Sequence, residues 1–108
     1  MTHTMQDMIE SILKLADMSI TNRKRGDVVR ANNCTMTAYG EARVFRFLGI
    51  NYDFGTYDDG DYEVIGYFMV DGVVLIKNGN IDWKAYADAV LDEEHGWGGK
   101  ELTIRERA

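Results

Sequence analysis

"TYDDGDYEVIGYFMVDGVVLIKNG", residues 56–79, sets four carboxylates in its first eight residues and then turns almost wholly apolar. Asp71-Gly72 between Val70 and Val73 reads as a two-residue hairpin turn, because Asp and Gly tolerate the positive φ such turns require. Upstream, Asp58-Asp59-Gly60-Asp61 supplies a second turn through side-chain-to-backbone bonding and a flexible glycine. Between them, Tyr62 to Val70 is β-rich and apolar on both faces, which suits a central strand. Val73 to Ile76 returns alongside it, and Asn78-Gly79 ends the sheet. Before the first turn, Ile50, Tyr52 and Phe54 alternate with Asn51, Asp53 and Gly55, the period-two pattern of a half-buried strand. The stretch is therefore the middle and end of a three-stranded antiparallel meander.

Helices flank it. Thr4 is an N-cap with Asp7 three residues on, near the positive helix end. Met5, Met8, Ile9, Ile12, Leu13 and Ala16 then share one helical face, so a helix is predicted over about 5–17. "SITNRKRGD" (19–27) is polar, basic and glycine-containing, and reads as a loop. "DVVRANN" (27–33) reads as a short helix. Residues 35–48 fit either a helix or a hairpin turning at Gly40-Glu41. The helix accounts for more residues: it gives a stripe of Ala38, Ala42, Phe45 and Leu48 and a second of Met36, Gly40, Val44 and Phe47. Its Leu48-Gly49-Ile50 ending matches a left-handed stop with an apolar residue packed behind. After the sheet, Trp83, Tyr86, Ala87, Val90 and Leu91 form the stripe of a C-terminal helix. His95-Gly96-Trp97 repeats the glycine stop. The expected class is α+β, in the order α-(α)-α-β-β-β-α. Residues 1–97 form the domain and 98–108 a tail, loose or holding a short strand through Leu102 and Ile104.

At 108 residues with 45% hydrophobic and 28% charged side chains, the chain fits one globular domain and no disordered polyelectrolyte. No run approaches the length of a membrane span, and the N-terminus lacks the basic start and apolar stretch of a signal peptide. A single cysteine, Cys34, offers neither an internal disulfide nor a zinc pair, which points to a reducing cytoplasm. The net charge of −6 is unevenly spread: residues 1–50 hold seven Lys/Arg against five Asp/Glu, and residues 51–108 hold five against thirteen. Such asymmetry bears on association rather than on fold.

Two acidic groups follow. Asp58, Asp59, Asp61 and Glu63 do not match the spaced ligands of an EF-hand, and turn chemistry already explains them. Asp92, Glu93 and Glu94 sit at a helix C-terminus, where carboxylates oppose the macrodipole by about 0.3–1 kcal/mol each. His95, Lys100 or Arg105 offsets them, or they form an edge kept for a basic partner. Cys34 and His95 are one conceivable nucleophile and base, yet no third orienting residue stands out. Asp92 and His95 have the spacing of a helical metal pair but lack a second pair. No catalytic residue, metal site or cofactor is expected. Arg23, Lys24, Arg25, Arg30, Arg43 and Arg46 make up the basic half, with Tyr39 on the same helical face as the last two.

Two resemblances bear on function. Helix, short helix, helix and hairpin over residues 5–77 is an order that resembles a winged helix-turn-helix. That likeness implies a nucleic-acid-binding protein with Arg43 and Arg46 on its recognition helix. "GEARVFRFLGINYDF" followed by "GYFMVDGVVLIKNG" is similar to the core of the PD-(D/E)XK nucleases. Glu41 matches their helix acid and Lys77 their lysine, while Tyr67 and Leu75 stand where two metal-binding carboxylates belong. That likeness implies a scaffold without the metal that activates water.

The function expected is binding without catalysis. A small acidic cytoplasmic accessory or regulatory protein meets a basic surface on another protein, as do inhibitors of nucleic-acid-binding proteins from phages and mobile elements. A strand apolar on both faces with helices over only one also leads us to expect a homodimer.

Overall fold

Two twenty-residue helices and an antiparallel sheet account for most of residues 2–103, which the computed structural model describes. The elements are β1 (Thr2–Thr4), α1 (Met5–Lys24), α2 (Val28–Phe47), β2 (Tyr52–Asp59), β3 (Tyr62–Val70), β4 (Val73–Lys77), β5 (Asn80–Ile81), α3 (Trp83–Leu91) and β6 (Glu101–Thr103). The α+β class stands, with one strand more than expected in the meander.

Thr4 caps α1 by accepting from the Asp7 amide, 3.1 Å. The helix does not stop near residue 17. It runs on through the polar stretch, and the intended loop shrinks to Arg25, Gly26 and Asp27. The stop is a Schellman motif: the Gly26 amide donates to the Arg23 carbonyl and the Asp27 amide to that of Asn22. Gly26 takes φ +76°, which glycine adopts without a Cβ penalty. Asp27 then caps α2 by accepting from the Arg30 amide. Arg23 and Lys24 occupy the last turn of α1, where cations favour the dipole. Polarity there marks a solvated helix end.

Residues 28–47 form one helix, so the short-helix and hairpin readings both give way. Its end is the predicted one. Ile50 donates to the Phe45 carbonyl and Gly49 to that of Arg46, with Gly49 at φ +70° and Ile50 in the core. Ala38, Ala42 and Phe45 are fully buried, whereas Met36 and Phe47 of the second stripe face solvent. The small Ala16, Ala31 and Ala38 lie buried where α1 and α2 meet. Within that seam Ser19 and Thr35 hydroxyls lie 2.8 Å apart, Ser19 reaches the Ala31 carbonyl, and Thr35 donates to the Glu63 carbonyl. Each hydroxyl has one proton to give, Ser19's to the Ala31 carbonyl or to Thr35 and Thr35's to the Glu63 carbonyl, so the seam ties helix to helix and helix to β3.

The sheet has the order β2-β3-β4-β5, antiparallel throughout. Asp71-Gly72 makes the expected tight turn, with φ of 51° and 81°. Asn78-Gly79 does not end the sheet; at φ 53° and 78° it is another such turn and returns the chain as β5. Gly60-Asp61 is the turn of the first hairpin, so Asp58 and Asp59 belong to β2 itself. Two bulges interrupt the ladders. Gly66 is the extra residue opposite Gly55/Thr56, and Leu75 the extra one opposite Phe68/Met69. A bulge shifts side-chain alternation by one residue, so the neighbours Leu75 and Ile76 both reach the core, whereas Val64, cross-strand from Tyr57, is buried on the outer face. The Tyr57 ring covers Gly66 on the outer face: a Cβ there would stand 2.7 Å from its Cδ1.

The core joins α1 (Met5, Ile9, Ile12, Leu13) and Phe45 to Ile65, Phe68, Val70, Leu75 and Ile76. α3 contributes Ala89, Tyr86 and Val90. The stripe predicted for it is rotated, because Trp83 is 44% and Leu91 80% exposed. The chain leaves α3 at Leu91, before the glycine stop expected at Gly96; Trp97 nevertheless packs fully buried in the core. Its ring N–H donates to Asp71, 3.1 Å, and its carbonyl accepts from Gln6. β6 pairs with β1 within the segment read as a tail, whereas Ile104 and Arg105 lie outside the described residues. The resulting body measures 38 × 38 × 18 Å, one layer of helices over one sheet. No described helix is long and apolar enough to cross a membrane.

Candidate functional site

The acidic residues do not form one patch. Asp58, Asp59, Asp61 and Glu63 gather at the tip of the β2–β3 hairpin. Asp92, Glu93 and Glu94 lie just past α3, at the other end of the sheet, where Trp97 meets Asp71. Nine residues of β3 separate the two ends, roughly 25–30 Å at strand spacing.

The hairpin tip is held rigidly. Asn32 accepts from the Glu63 amide and donates to the Asp61 carbonyl, both at 2.9 Å, while Thr35 takes the Glu63 carbonyl. Glu63 accepts from Thr56 across the hairpin. Asp58, Asp59 and Asp61 stay exposed, with no side-chain ion pair among the described residues. Asn32 was not legible as part of this site, since its role depends on α2 being one helix. β2 is also the edge of the sheet. Its outer backbone edge pairs with no described strand, and Asp53, Asp58 and Asp59 lie along it without one basic residue.

The α3 corner is partly self-satisfied. The Asp92 carboxylate accepts from the Glu94 amide and lies 3.6 Å from His95 Nε2, so His95 stands beside the acidic run. His95 in turn packs on Trp97, with ring centroids 5.3 Å apart. No basic residue occupies the last turn of α3.

The basic residues scatter likewise. Arg23 and Lys24 end α1, Arg25 caps it, and Arg30 pairs with Asp27 at 3.5 Å. Arg43 and Arg46 line a separate groove between α2 and β2 with Tyr39, Ile50, Asn51, Tyr52, Asp53 and Phe54. With Val28–Phe47 in one helix, the three-helix order of a winged helix-turn-helix does not occur among the described residues, and no recognition helix is set across a shorter one.

The nuclease-like residues separate too. Tyr67 and Lys77 are cross-strand partners and Leu75 is fully buried, but Glu41 accepts from Ser11 at 2.9 and 3.3 Å in the seam between α1 and α2. His3, Asp7, Ser11 and Glu41 line a small pocket there, in which the serine hydroxyl is held by a carboxylate. Cys34 sits seven residues into α2, away from the helix N-terminus that would favour its thiolate. It lines a groove with Met18, Thr21 and Asn22 of late α1, whereas Trp97, beside His95, binds the Gln6 amide at its start. About 18 Å of helix lies between, so the two are not a catalytic pair. No cluster of three or more His, Cys, Asp or Glu suited to a metal occurs among the described residues.

No family model matches the chain, and comparison with curated proteins and with solved structures finds no significant match.

Proposed function

We propose that the protein is a small cytoplasmic accessory or regulatory protein that binds a basic segment of another protein through the acidic edge of its sheet. The observation that carries this reading is β2: eight residues of free strand edge, three carboxylates along it, and no lysine or arginine. Free N–H and C=O groups template pairing with another chain, and natural proteins blunt them with charge. Here the charge is of one sign. Self-pairing through this edge brings aspartates together, whereas a lysine- or arginine-bearing strand gains backbone hydrogen bonds and neutralises Asp53, Asp58 and Asp59. Asn32 and Thr35 hold the tip in place beforehand, which lowers the ordering cost of association.

Basic strands and loops are common on nucleic-acid-binding surfaces. An inhibitor that occupies such a surface, of the kind phages and mobile elements encode, is the role that fits this size and charge. The homodimer reading finds its support on the outer sheet face, where Tyr57 is 47% exposed beside Tyr67, Met69 and Val74 with no helix above.

A pull-down of the tagged protein from lysate, with and without nuclease, tests the proposal. A protein partner that survives nuclease and is lost with the pair Asp58→Lys and Asp59→Lys is expected. Recovery that depends on intact nucleic acid, or that is lost with Arg43→Ala, favours the nucleic-acid reading instead.

A further inference from the structure

The groove at the opposite end of β2 is chemically unlike the rest of the molecule. It is open, about 440 Å³ in volume, and lies where the last turns of α2 pass over the start of β2. Arg43 and Arg46 border it, both exposed, and neither forms an ion pair among the described residues, although Asp53 lines the same groove. In a chain with eighteen carboxylates against twelve basic residues, two neighbouring free guanidiniums stand out.

The aromatic setting is fixed. The Arg43 guanidinium lies over the Tyr39 ring, 5.7 Å from its centroid. Tyr39 meets Phe54 edge-on at 5.8 Å, and Phe54 meets Phe68 in the same way. Tyr52 is braced by Phe45 at 5.9 Å. A cation–π contact uses the guanidinium face and leaves its N–H edge available, so Arg43 is oriented without its donors being consumed. Paired arginine forks match the oxygens of a phosphate, and a wall of Tyr39, Tyr52 and Phe54 beside the Asn51 amide suits a planar base.

We infer that this groove binds a nucleoside phosphate, with Arg43 and Arg46 on the phosphate and the base against the aromatic wall. The volume lies within the range of small-ligand sites, typically about 300–1,000 Å³. The net charge of −6 selects against long polyanions while leaving short-range contacts to one small anion intact. The site shares Asp53 with the acidic edge, while Asp58 and Asp59 lie at the other end of β2, and the binding proposed uses none of these carboxylates.

The test is an amide NMR titration of the whole protein with AMP, GMP and UMP, with inorganic phosphate, and with a ten-residue oligothymidylate. Saturable shifts confined to residues 39–54, obtained with at least one mononucleotide and weakened tenfold or more by Arg43→Ala and by Arg46→Ala, are expected. Both arginines are exposed, so the variants are expected to keep the parent thermal unfolding midpoint, which shows that the loss is one of binding. Inorganic phosphate is expected to move the same amides at higher concentration. No saturable shift at millimolar nucleotide overturns the inference. So does phosphate binding as tightly as any mononucleotide, or binding by the oligonucleotide alone with the steep salt dependence of a polyanion.

Discussion

One strand, β2, carries two different surfaces at its two ends. At its start, Tyr52 and Phe54 lie under α2 in an aromatic stack that also orients Arg43. At its finish, Asp58 and Asp59 project from an exposed hairpin tip that Asn32 and Thr35 pin to α2. The first end is built by burial and aromatic contact, the second by a few directional hydrogen bonds to one helix. Charge in this protein is thus sorted by position along a strand, not by the basic and acidic halves of the sequence. The two ends should respond differently to perturbation.

The largest effect is expected at the roofed end. Phe68 is fully buried and meets Phe54 edge-on, so Phe68→Ala should cost about 3–5 kcal/mol in urea unfolding. A loss under 1 kcal/mol would mean that the aromatic stack does not anchor β2.

Next comes the seam that pins the acidic tip. Thr35→Val removes the donor to the Glu63 carbonyl and the partner of Ser19, an expected loss of about 1–3 kcal/mol. Amide exchange should speed up at residues 60–64 and stay unchanged at 52–54. Equal acceleration at both ends would erase the contrast drawn here.

The join between the ends is the bulge. Gly66→Ala drives a Cβ into the Tyr57 ring, an overpacking expected to cost about 1–2 kcal/mol. In a Tyr57→Ala background the same change should cost far less. A double-mutant cycle checks this, and additivity would show that the ring does not pack on the glycine.

The smallest effect belongs to a contact remote from both ends. Burial and the neighbouring Glu10 carboxylate push the Tyr86 phenol above its usual range, so the folded state holds that proton more tightly. The stability this confers is present below the unfolded phenol pKa of about 10 and is lost as pH rises beyond it. Tyr86→Phe should flatten the alkaline arm of a stability–pH curve. The acid arm behaves oppositely: Glu10, held low chiefly by its hydrogen bond to Lys14, contributes above its unfolded pKa and loses that contribution as pH falls through the folded value.

Much of the fold was legible because local chemistry and tertiary packing agree. Leu48-Gly49-Ile50 and Asp71-Gly72 carry their backbone geometry in the residues themselves. Arg25-Gly26-Asp27 carries it equally, as a helix stop followed by a cap, but the surrounding polarity masked it. What joins 27–33 to 35–48 is not local: Ser19 and Thr35 meet only once α1 and α2 are antiparallel. The bulges at Gly66 and Leu75 likewise depend on strand partners, whereas β3 is apolar on both faces as its sequence reads, with Ile65, Phe68 and Val70 in the core and Val64, Tyr67 and Met69 on the outer face. The candidate acids were visible by type, but their division into two distant groups follows from sheet topology. Tyr52 and Phe54 were recognisable as strand residues; that they share a groove with Arg43 and Arg46 depends on where α2 crosses β2.

The most direct test of the acidic edge is amide hydrogen exchange across β2, with and without a synthetic ten-residue peptide alternating lysine and valine. Its control is the same peptide with glutamate in place of lysine. New protection along residues 53–59 with the lysine peptide alone, lost in the Asp58→Lys and Asp59→Lys variant, is the result predicted. Protection confined to residues 92–94, or none on β2, would contradict it.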